Sequence, residues 1–272
     1  MPPLLRASSL DQALECSAWI GKVTARDKRL CDEEYAAAED AKLWGTMVHT
    51  WIETGKIRHP LRNSRDKVDA AFAKREEKLL GNRIYKHKLR PTELYPVIGQ
   101  HEIAMAYNWR HGYSVLNYAP TYEWKESFDQ DWITGSTDFC LEDVDGTVDD
   151  ILWVDDLKTG KWWTKTPKQS AQVKFYAMCI AQHARVPKHG IDLSITHWPK
   201  YPASRPPNRR KEVITLEELS TFETSVVEMC FKAVGETKNY NPSPGVCRFC
   251  PARFSCLFRA PVETFEWKDK IK

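Results

Sequence analysis

The chain has 272 residues, of which 42% are hydrophobic and 28% are charged, and its formal net charge is +3. This composition is typical of a folded globular protein and excludes a disordered or collagen-like chain. The small net charge neither requires nor excludes a nucleic-acid partner, because a binding groove needs locally clustered charge rather than a large total.

No apolar run approaches the roughly 20 residues that a membrane-spanning helix needs. The N-terminal sequence also lacks the apolar stretch of a secretory signal. We therefore expect a cytoplasmic protein with no membrane partner. In a reducing compartment the eight cysteines should remain thiols, so clustered cysteines would indicate a metal or redox centre rather than disulfides.

The first third of the chain is predicted to be helical. A first helix, opened by a capping box at Ser9 and Gln12, would carry Cys16. A second helix over 32–54 and a third over 64–80 are each followed by a glycine, which commonly ends a helix.

Strand patterns dominate the rest of the chain. The predicted elements, in order, are strands over 101–109 and 113–118, a hairpin of strands over 132–141 and 151–158, a helix over 166–184, a strand over 191–201 and a long helix from about Leu216. The proline-rich and basic segment 202–211 is predicted to be an exposed loop, and 241–245 a linker. We predict an α/β protein with one mixed sheet flanked by helices.

Two aspartates and a lysine are the most informative residues. Asp156 and Lys158 are two positions apart on a predicted strand, so both side chains project from one face. Asp138 lies at or near the end of the neighbouring strand of the hairpin. Phosphodiester cleavage uses this combination, because carboxylates hold a divalent ion that activates water while an ammonium group stabilises negative charge. A surface salt bridge across the hairpin is the alternative for these residues taken alone.

Two helical motifs flank this group. His49 follows Gly45 by one turn; the glycine would let another backbone approach closely, and a neutral imidazole can bind metal. Gln172 and Tyr176 are four positions apart and share one helical face, where both can hydrogen-bond a phosphate or an active-site group. The alternatives are a hydrogen-bonded core histidine and a partly buried helix with a polar edge.

Taken in their order along the chain, these motifs resemble those of RecB-like nucleases in the PD-(D/E)XK superfamily. The matching segments are Gly45 to His49, Gly135-Ser-Thr-Asp138, Asp156-Leu-Lys158-Thr-Gly160 and Gln172 to Tyr176. The resemblance implies a site in which Mg²⁺ or Mn²⁺ is bound by His49, Asp138 and Asp156. It implies catalytic roles for Asp138, Asp156 and Lys158, with Gln172 and Tyr176 completing the site and Glu102 as a further candidate.

A cysteine-rich tail forms a second group of metal-ligand type. Cys247, Cys250 and Cys256 lie within ten residues, and three such thiols point to a soft metal centre, either zinc or an iron–sulfur cluster. The tail resembles that of the iron–sulfur subgroup, which includes AddB-type nucleases and CRISPR-adaptation exonucleases. The resemblance implies a 4Fe–4S cluster with Cys16 as its early ligand. The family's proline after that cysteine is replaced here by serine, which leaves Cys31 as an alternative, and zinc stays the alternative metal.

Aromatic and basic residues follow the Asp-x-Lys strand directly. Trp162 and Trp163 lie among lysines that include Lys161 and Lys165, and this mixture suits single-stranded DNA through base stacking and phosphate attraction. Two tryptophans that pack against the start of a helix are the alternative. The basic segment 205–211 is a further candidate for contact with a phosphate backbone, or else a solvated loop.

The resemblance implies a restriction-endonuclease-like fold in three parts. These are a helical N-terminal segment over 1–92, a nuclease core over 93–240 and a cysteine-rich, cluster-binding tail over 241–272. The function it implies is metal-dependent DNA cleavage, expected to be exonucleolytic on single-stranded or end-containing DNA in recombination, repair, phage or CRISPR-type processing. The sequence has no phosphate-binding loop of the GxxxxGK[ST] type, so unwinding would require a helicase or another recombination or adaptation partner. Alternatives are a non-catalytic DNA-binding or assembly subunit that keeps the fold, and a zinc-stapled binding module.

Overall fold

A computed structural model describes most of the chain. The described residues are 4–16, 39–118, 124, 127–143, 150–159, 165–200, 205–235, 241–243, 246–247, 250, 252 and 256. Some predicted features lie outside them, namely the helical turns over 32–38 and the candidate residues Cys31, Lys161, Trp162 and Trp163. The sequence predictions for the remaining elements can be compared with the structure directly.

The described residues include one seven-stranded sheet. Its strands are β1 (Leu5–Arg6), β2 (Gln100–Asn108), β3 (Tyr113–Asn117), β4 (Trp132–Asp143), β5 (Ile151–Lys158), β6 (Ile191–His197) and β7 (Asn208–Ile214). The strand order is β3-β2-β4-β5-β6-β7, and the short β1 pairs with the beginning of β4. Two pairings are parallel, β1 with β4 and β5 with β6, and the others are antiparallel. The prediction of one mixed sheet is confirmed.

Helices cover both faces of this sheet. They are α1 (Leu10–Glu15), α2 (Glu39–Thr54), α3 (Lys67–His87), α4 (Pro91–Leu94), α5 (Ala171–Ala181) and α6 (Leu216–Val234). The first core contains buried residues of α1, α5 and α6 and one face of the sheet. The second core contains residues of α2 and α3 and the opposite face, including Phe139 and Leu157. None of the described helices is both long and apolar enough to cross a membrane.

The alternation of side chains along β2 and β4 changes at one point. Ile103 belongs to the first core, whereas His101 packs on Phe139 of the second core with ring centroids 5.2 Å apart. Residues two apart on a regular strand share a face, so the alternation has switched between them. The intervening Glu102 has a left-handed φ of 54°, which is uncommon for a residue other than glycine. The register places Asp138 of β4 opposite Glu102, so both carboxylates lie at the switch.

Three local predictions about helices were wrong. The Ser9 side chain makes no cap hydrogen bond at α1. Helix α3 begins after Asp66, whose carboxylate accepts the N–H of Val68 at 2.6 Å, and it continues through Gly81 to His87. The helix predicted from 166 begins as an α-helix only at Ala171, after a short 3-10 turn over 167–169.

The predicted exposed loop over 202–211 was also wrong in part. Residues from Asn208 onward form the edge strand β7, which pairs with β6. Arg209 lies against the ring of Trp153, with its guanidinium carbon 4.6 Å from the centroid, and donates to the carbonyl of Leu94 at 2.6 Å. Its guanidinium is therefore occupied within the fold rather than offered to a phosphate backbone.

Candidate active site

Two aspartates, Asp156 buried and Asp138 half-buried, lie where the β4–β5 ladder ends. Phe139 pairs with Asp155, so Asp138 and Asp156 are the next opposed positions, just beyond the last hydrogen-bonded pair. One oxygen of Asp138 accepts the backbone N–H of Leu157 at 2.6 Å. The side chain of Asp156 is 3% exposed. Both carboxylates thus lie where the pairing of the two strands ends.

Lys158 and the N-terminal part of α5 hold the Asp156 carboxylate. The Nζ atom of Lys158 lies 2.7 Å from Oδ2 of Asp156 and donates to Oε1 of Gln172 at 2.7 Å. The amide nitrogen of Gln172 in turn donates to Oδ1 of Asp156 at 3.1 Å and to the hydroxyl of Tyr176. These four predicted residues form one connected network.

His49 reaches the same place from α2. Its Nδ1 atom lies 3.3 Å from Oδ1 of Asp138. Gly45, one turn earlier, lets the side chain of Thr159 approach, because a Cβ at this glycine would lie 2.8 Å from the threonine Oγ1. The close neighbour is therefore the residue that follows Lys158. This packing explains a glycine at that point of α2.

A third group of ligand type borders an open cleft of about 420 Å³ beside His49. One ligand atom from each of His49, Glu53 and Glu102 lies within 4.8 Å of the others. Glu102 was a candidate from the sequence, but Glu53 was missed. Its only signal was its position one helical turn after His49, which puts both side chains on the same face of α2.

Burial and crowding of negative charge dominate the electrostatics of the site. Burial raises the pKa of Asp138 well above its usual value, and the charge of Asp156 raises it further. Burial lowers the pKa of His49, which favours the neutral imidazole that can bind a metal. Burial, together with Glu102, raises the pKa of Glu53 to about 7. Acidic groups this close favour a bound cation, which would offset their repulsion.

A family model described as PD-(D/E)XK nuclease superfamily matches residues 7–257. The chain belongs to the PD-(D/E)XK nuclease superfamily. No curated protein matches the chain. A solved structure described as "Crystal structure of SSO0001" is similar with a TM-score of 0.40 and 9% identity, covering 95% of this chain and 87% of that one.

The residues matched by the nuclease-superfamily model, 7–257, include four cysteines near the two ends of the described chain. Cys16 follows α1, and Cys247, Cys250 and Cys256 belong to the tail; none of the four forms a disulfide with a described residue. Burial raises the pKa of Cys250 to about 11, and the thiols of Cys256, Cys16 and Cys247 raise it as well. Cys250 is thus close enough to the other three predicted ligands for their charges to affect it. Cys140, Cys179 and Cys230 are buried elsewhere, in the first core of the nuclease fold.

The basic residues predicted to contact DNA are only partly described. Lys165 lies 2.8 Å from a carboxylate oxygen of Asp11 on α1, so its ammonium group is paired within the protein. The same oxygen of Asp11 accepts the N–H of Ala171 at 3.0 Å. Sequence reasoning missed Asp11, because nothing local indicates a contact with a residue 160 positions away.

Proposed function

We propose that this member of the nuclease superfamily is a divalent-metal-dependent deoxyribonuclease. One observation carries the proposal: His49, Asp138, Asp156 and Lys158 meet at the point where β4 and β5 separate. An imidazole and two carboxylates can hold a divalent ion that activates water, and the ammonium group can stabilise negative charge, as metal-assisted phosphodiester hydrolysis needs. They come from three different elements, so their meeting is a property of the fold and not of one local motif.

The donor atoms fit Mg²⁺ or Mn²⁺. Carboxylate oxygens and an imidazole nitrogen suit these ions. The Oδ2 atom of Asp156 is buried and accepts no well-directed hydrogen bond from the described residues, although the Lys158 ammonium lies 2.7 Å from it. We infer that His49, Asp138 and Asp156 hold the ion, with Glu102 as an additional ligand. When bound, the ion would neutralise the phosphate and make bound water more acidic.

Lys158, Gln172 and Tyr176 have the remaining roles in the proposed site. Lys158 supplies a positive charge that stabilises negative charge developing on the phosphate. Gln172 holds both Lys158 and Asp156, so it fixes the distance between the ammonium group and the carboxylate. The hydroxyl of Tyr176 accepts from Gln172 and limits the rotation of its amide. Fixing these groups before substrate binds lowers the cost of reaching the transition state.

We propose DNA as substrate, single-stranded or with free ends, cut by an exonuclease. The support is the resemblance to RecB-like enzymes and the sequence Lys161-Trp162-Trp163, which combines stacking surfaces with positive charge. A helicase or a recombination or adaptation protein is the expected partner, in the cytoplasm. The alternative is a non-catalytic DNA-binding or assembly subunit. Keeping a buried and a half-buried carboxylate beside a lysine without chemistry would be costly, which argues against it.

We further propose a 4Fe–4S cluster ligated by Cys16, Cys247, Cys250 and Cys256, with zinc as the alternative. The effect of Cys256, Cys16 and Cys247 on the pKa of Cys250 supports a shared centre. The cluster would join the helical segment over 1–92, which also carries His49, to the tail over 241–272. The nuclease core over 93–240 would lie between them. Closing so long a loop is entropically costly, so such a centre would stabilise the fold.

The nuclease proposal is tested with protein purified without oxygen and end-labelled DNA. We expect release of label from single-stranded DNA with Mn²⁺ or Mg²⁺ and none with EDTA. Asp156→Asn and Lys158→Met should each lower kcat by at least about a hundredfold, since both remove charge that acts in the transition state. Asp143→Asn, at the far end of β4, is the matched control and should cleave normally. Metal-independent release, or full activity in Asp156→Asn, would refute the proposal.

The cluster is tested separately by analysis of iron, acid-labile sulfide and zinc in the same preparation. About four irons and four sulfides per chain are expected. Cys250→Ser and Cys16→Ser should lose iron, whereas Cys230→Ala, a buried cysteine of α6, should retain it. Retention of iron in Cys16→Ser and its loss in Cys31→Ser would transfer the early ligand to Cys31. One equivalent of zinc without sulfide would replace the cluster by the alternative.

A further inference from the structure

A carboxylate on α1 holds the beginning of the helix that carries Gln172. The Oδ1 atom of Asp11 accepts the backbone N–H of Ala171 at 3.0 Å and lies 2.8 Å from Nζ of Lys165. Ala171 is the first residue of α5, and Gln172 is the second. The contact therefore lies directly beside the residue that connects Lys158 to Asp156.

The contact supplies a hydrogen-bond acceptor to the first N–H group of α5. The first N–H groups of a helix have no partner inside it. The Ser170 hydroxyl accepts the N–H of Val173 at 3.4 Å, and Asp11 takes that of Ala171. A carboxylate at this end also interacts favourably with the helix dipole. Because the Asp11 side chain is only 13% exposed, water can replace it poorly.

The element that carries Asp11 is itself well fixed. Leu10 and Ala13 of α1 are buried in the first core, and β1 pairs with β4 through Leu5 and Ile133. Cys16 directly follows the last residue of α1, and its N–H donates to the carbonyl of Gln12 at 2.9 Å. The position of Asp11 is thus set by the sheet on one side and by the cysteine-bearing end of α1 on the other.

We propose that Asp11 is a positioning residue for the reaction. By anchoring Ala171 it sets the position of Gln172, and through Gln172 it sets the distance between the Lys158 ammonium and the Asp156 carboxylate. This proposal rests on the proposed nuclease function. It adds that the N-terminal helix tunes the catalytic centre without contacting substrate.

The test compares kcat and KM for DNA cleavage with Mn²⁺ in variants of the full chain. Asp11→Ala removes the acceptor, and we expect kcat to fall by about tenfold with KM nearly unchanged, since small misplacements of reacting groups lower the rate. Asp11→Asn keeps an oxygen that accepts the Ala171 N–H and should retain most of kcat.

A matched control separates positioning from general loss of stability. Asp66 caps α3, where it accepts the N–H groups of Val68 and Asp69, and α3 carries none of the proposed catalytic residues. Asp66→Ala should lower Tm about as much as Asp11→Ala, because both remove a helix cap worth about 1 kcal/mol, yet leave kcat unchanged. If Asp11→Ala does not fold, Asp11→Glu, which displaces the carboxylate, takes its place with the same expected fall in kcat.

A double variant tests the route of the effect. Because Asp11 is proposed to act through Gln172, Asp11→Ala combined with Gln172→Ala should have the kcat of Gln172→Ala alone. Additive losses would overturn the proposal, as would wild-type kcat in folded Asp11→Ala or an equal loss in Asp66→Ala. A wild-type protein that does not cleave DNA would instead refute the proposed function, so the two failures are distinguishable.

Discussion

Gly135 offers a steric test of how closely α5 must pack on β4. A Cβ at this position would lie 2.8 Å from Cε1 of Tyr176, 2.9 Å from Cβ of Ala7 and 3.3 Å from Cε1 of Phe175. All three distances are shorter than ordinary carbon–carbon contact, and none of these atoms is the end of a flexible chain. Gly135→Ala must therefore push α5 and the N-terminal segment away from the sheet. Overpacking of this kind costs about 1–3 kcal/mol.

That cost should lower Tm by roughly 2–12 °C, since about 2–4 °C per kcal/mol is typical of domains near this size. The displaced helix carries Gln172 and Tyr176, so kcat for DNA cleavage should fall by about tenfold as well. Thermal denaturation followed by circular dichroism measures the first effect, and end-label release measures the second.

Gly81→Ala is the control, for which we expect Tm to rise rather than fall. Gly81 lies inside α3, and among the described residues a Cβ there would meet only Cδ1 of Ile57, at an ordinary 3.5 Å. Replacing an interior helical glycine by alanine should stabilise the protein by up to about 1 kcal/mol and leave cleavage unchanged. If Gly135→Ala unfolds at the wild-type temperature, or if both alanine variants shift Tm alike, the packing argument is wrong.

Three further perturbations test other parts of the structure. Burial lowers the pKa of His59, so the contribution of its neutral imidazole to stability is present above about pH 6.5 and is lost as pH falls. In urea denaturation, the free energy of unfolding of the wild type should therefore drop faster on acidification than that of His59→Asn, whose side chain can still accept the Leu61 N–H. Parallel pH curves would contradict this. Arg209→Met leaves the buried carboxylate of Asp155 without the guanidinium 3.8 Å away and should lower the free energy of unfolding by about 3–5 kcal/mol. Arg210→Met, at the exposed neighbour, should lower it by less than about 0.5 kcal/mol. Equal losses would contradict the buried pairing. Glu53→Gln should weaken Mn²⁺ binding by about tenfold in titration calorimetry, whereas Glu39→Gln on the same helix should not, and unchanged affinity would remove Glu53 from the site.

Features of the fold that depend on neighbouring residues could be predicted well. The strands β2, β4 and β5 alternate or end in recognisable turns, and their predicted bounds agree with the structure to within a few residues. The same holds for α6, whose start at Leu216 was predicted and which is opened by a capping box at Thr215. Each of these signals is contained in a short window of sequence.

The errors arise where a distant contact overrides a local preference. Glycine commonly ends a helix, but α3 continues through Gly81. The prolines and arginines over 202–211 suggested a loop, yet Arg209 finds Asp155, Trp153 and the carbonyl of Leu94, and the chain pairs with β6. The polarity of a segment does not disclose a buried partner that lies elsewhere in the chain.

The residues of the candidate site likewise fall into those that local motifs predicted and those that they did not. The identities and order of His49, Asp138, Asp156, Lys158, Gln172 and Tyr176 could be read from the sequence, because each motif is local and their succession is specific. Glu53 and Asp11 could not, since one acts across a cleft formed by two elements and the other holds a helix that begins 160 residues later.

The available chemical groups, and the order in which the chain presents them, follow from the amino-acid sequence alone. The fold is needed to show that the alternation of β2 and β4 switches at Glu102 and Asp138, that β4 parts from β5 beside Asp156, and that α2 and α5 approach that gap from two sides. Strand register and helix docking are set by contacts between residues far apart in the chain, whose energies no local pattern encodes.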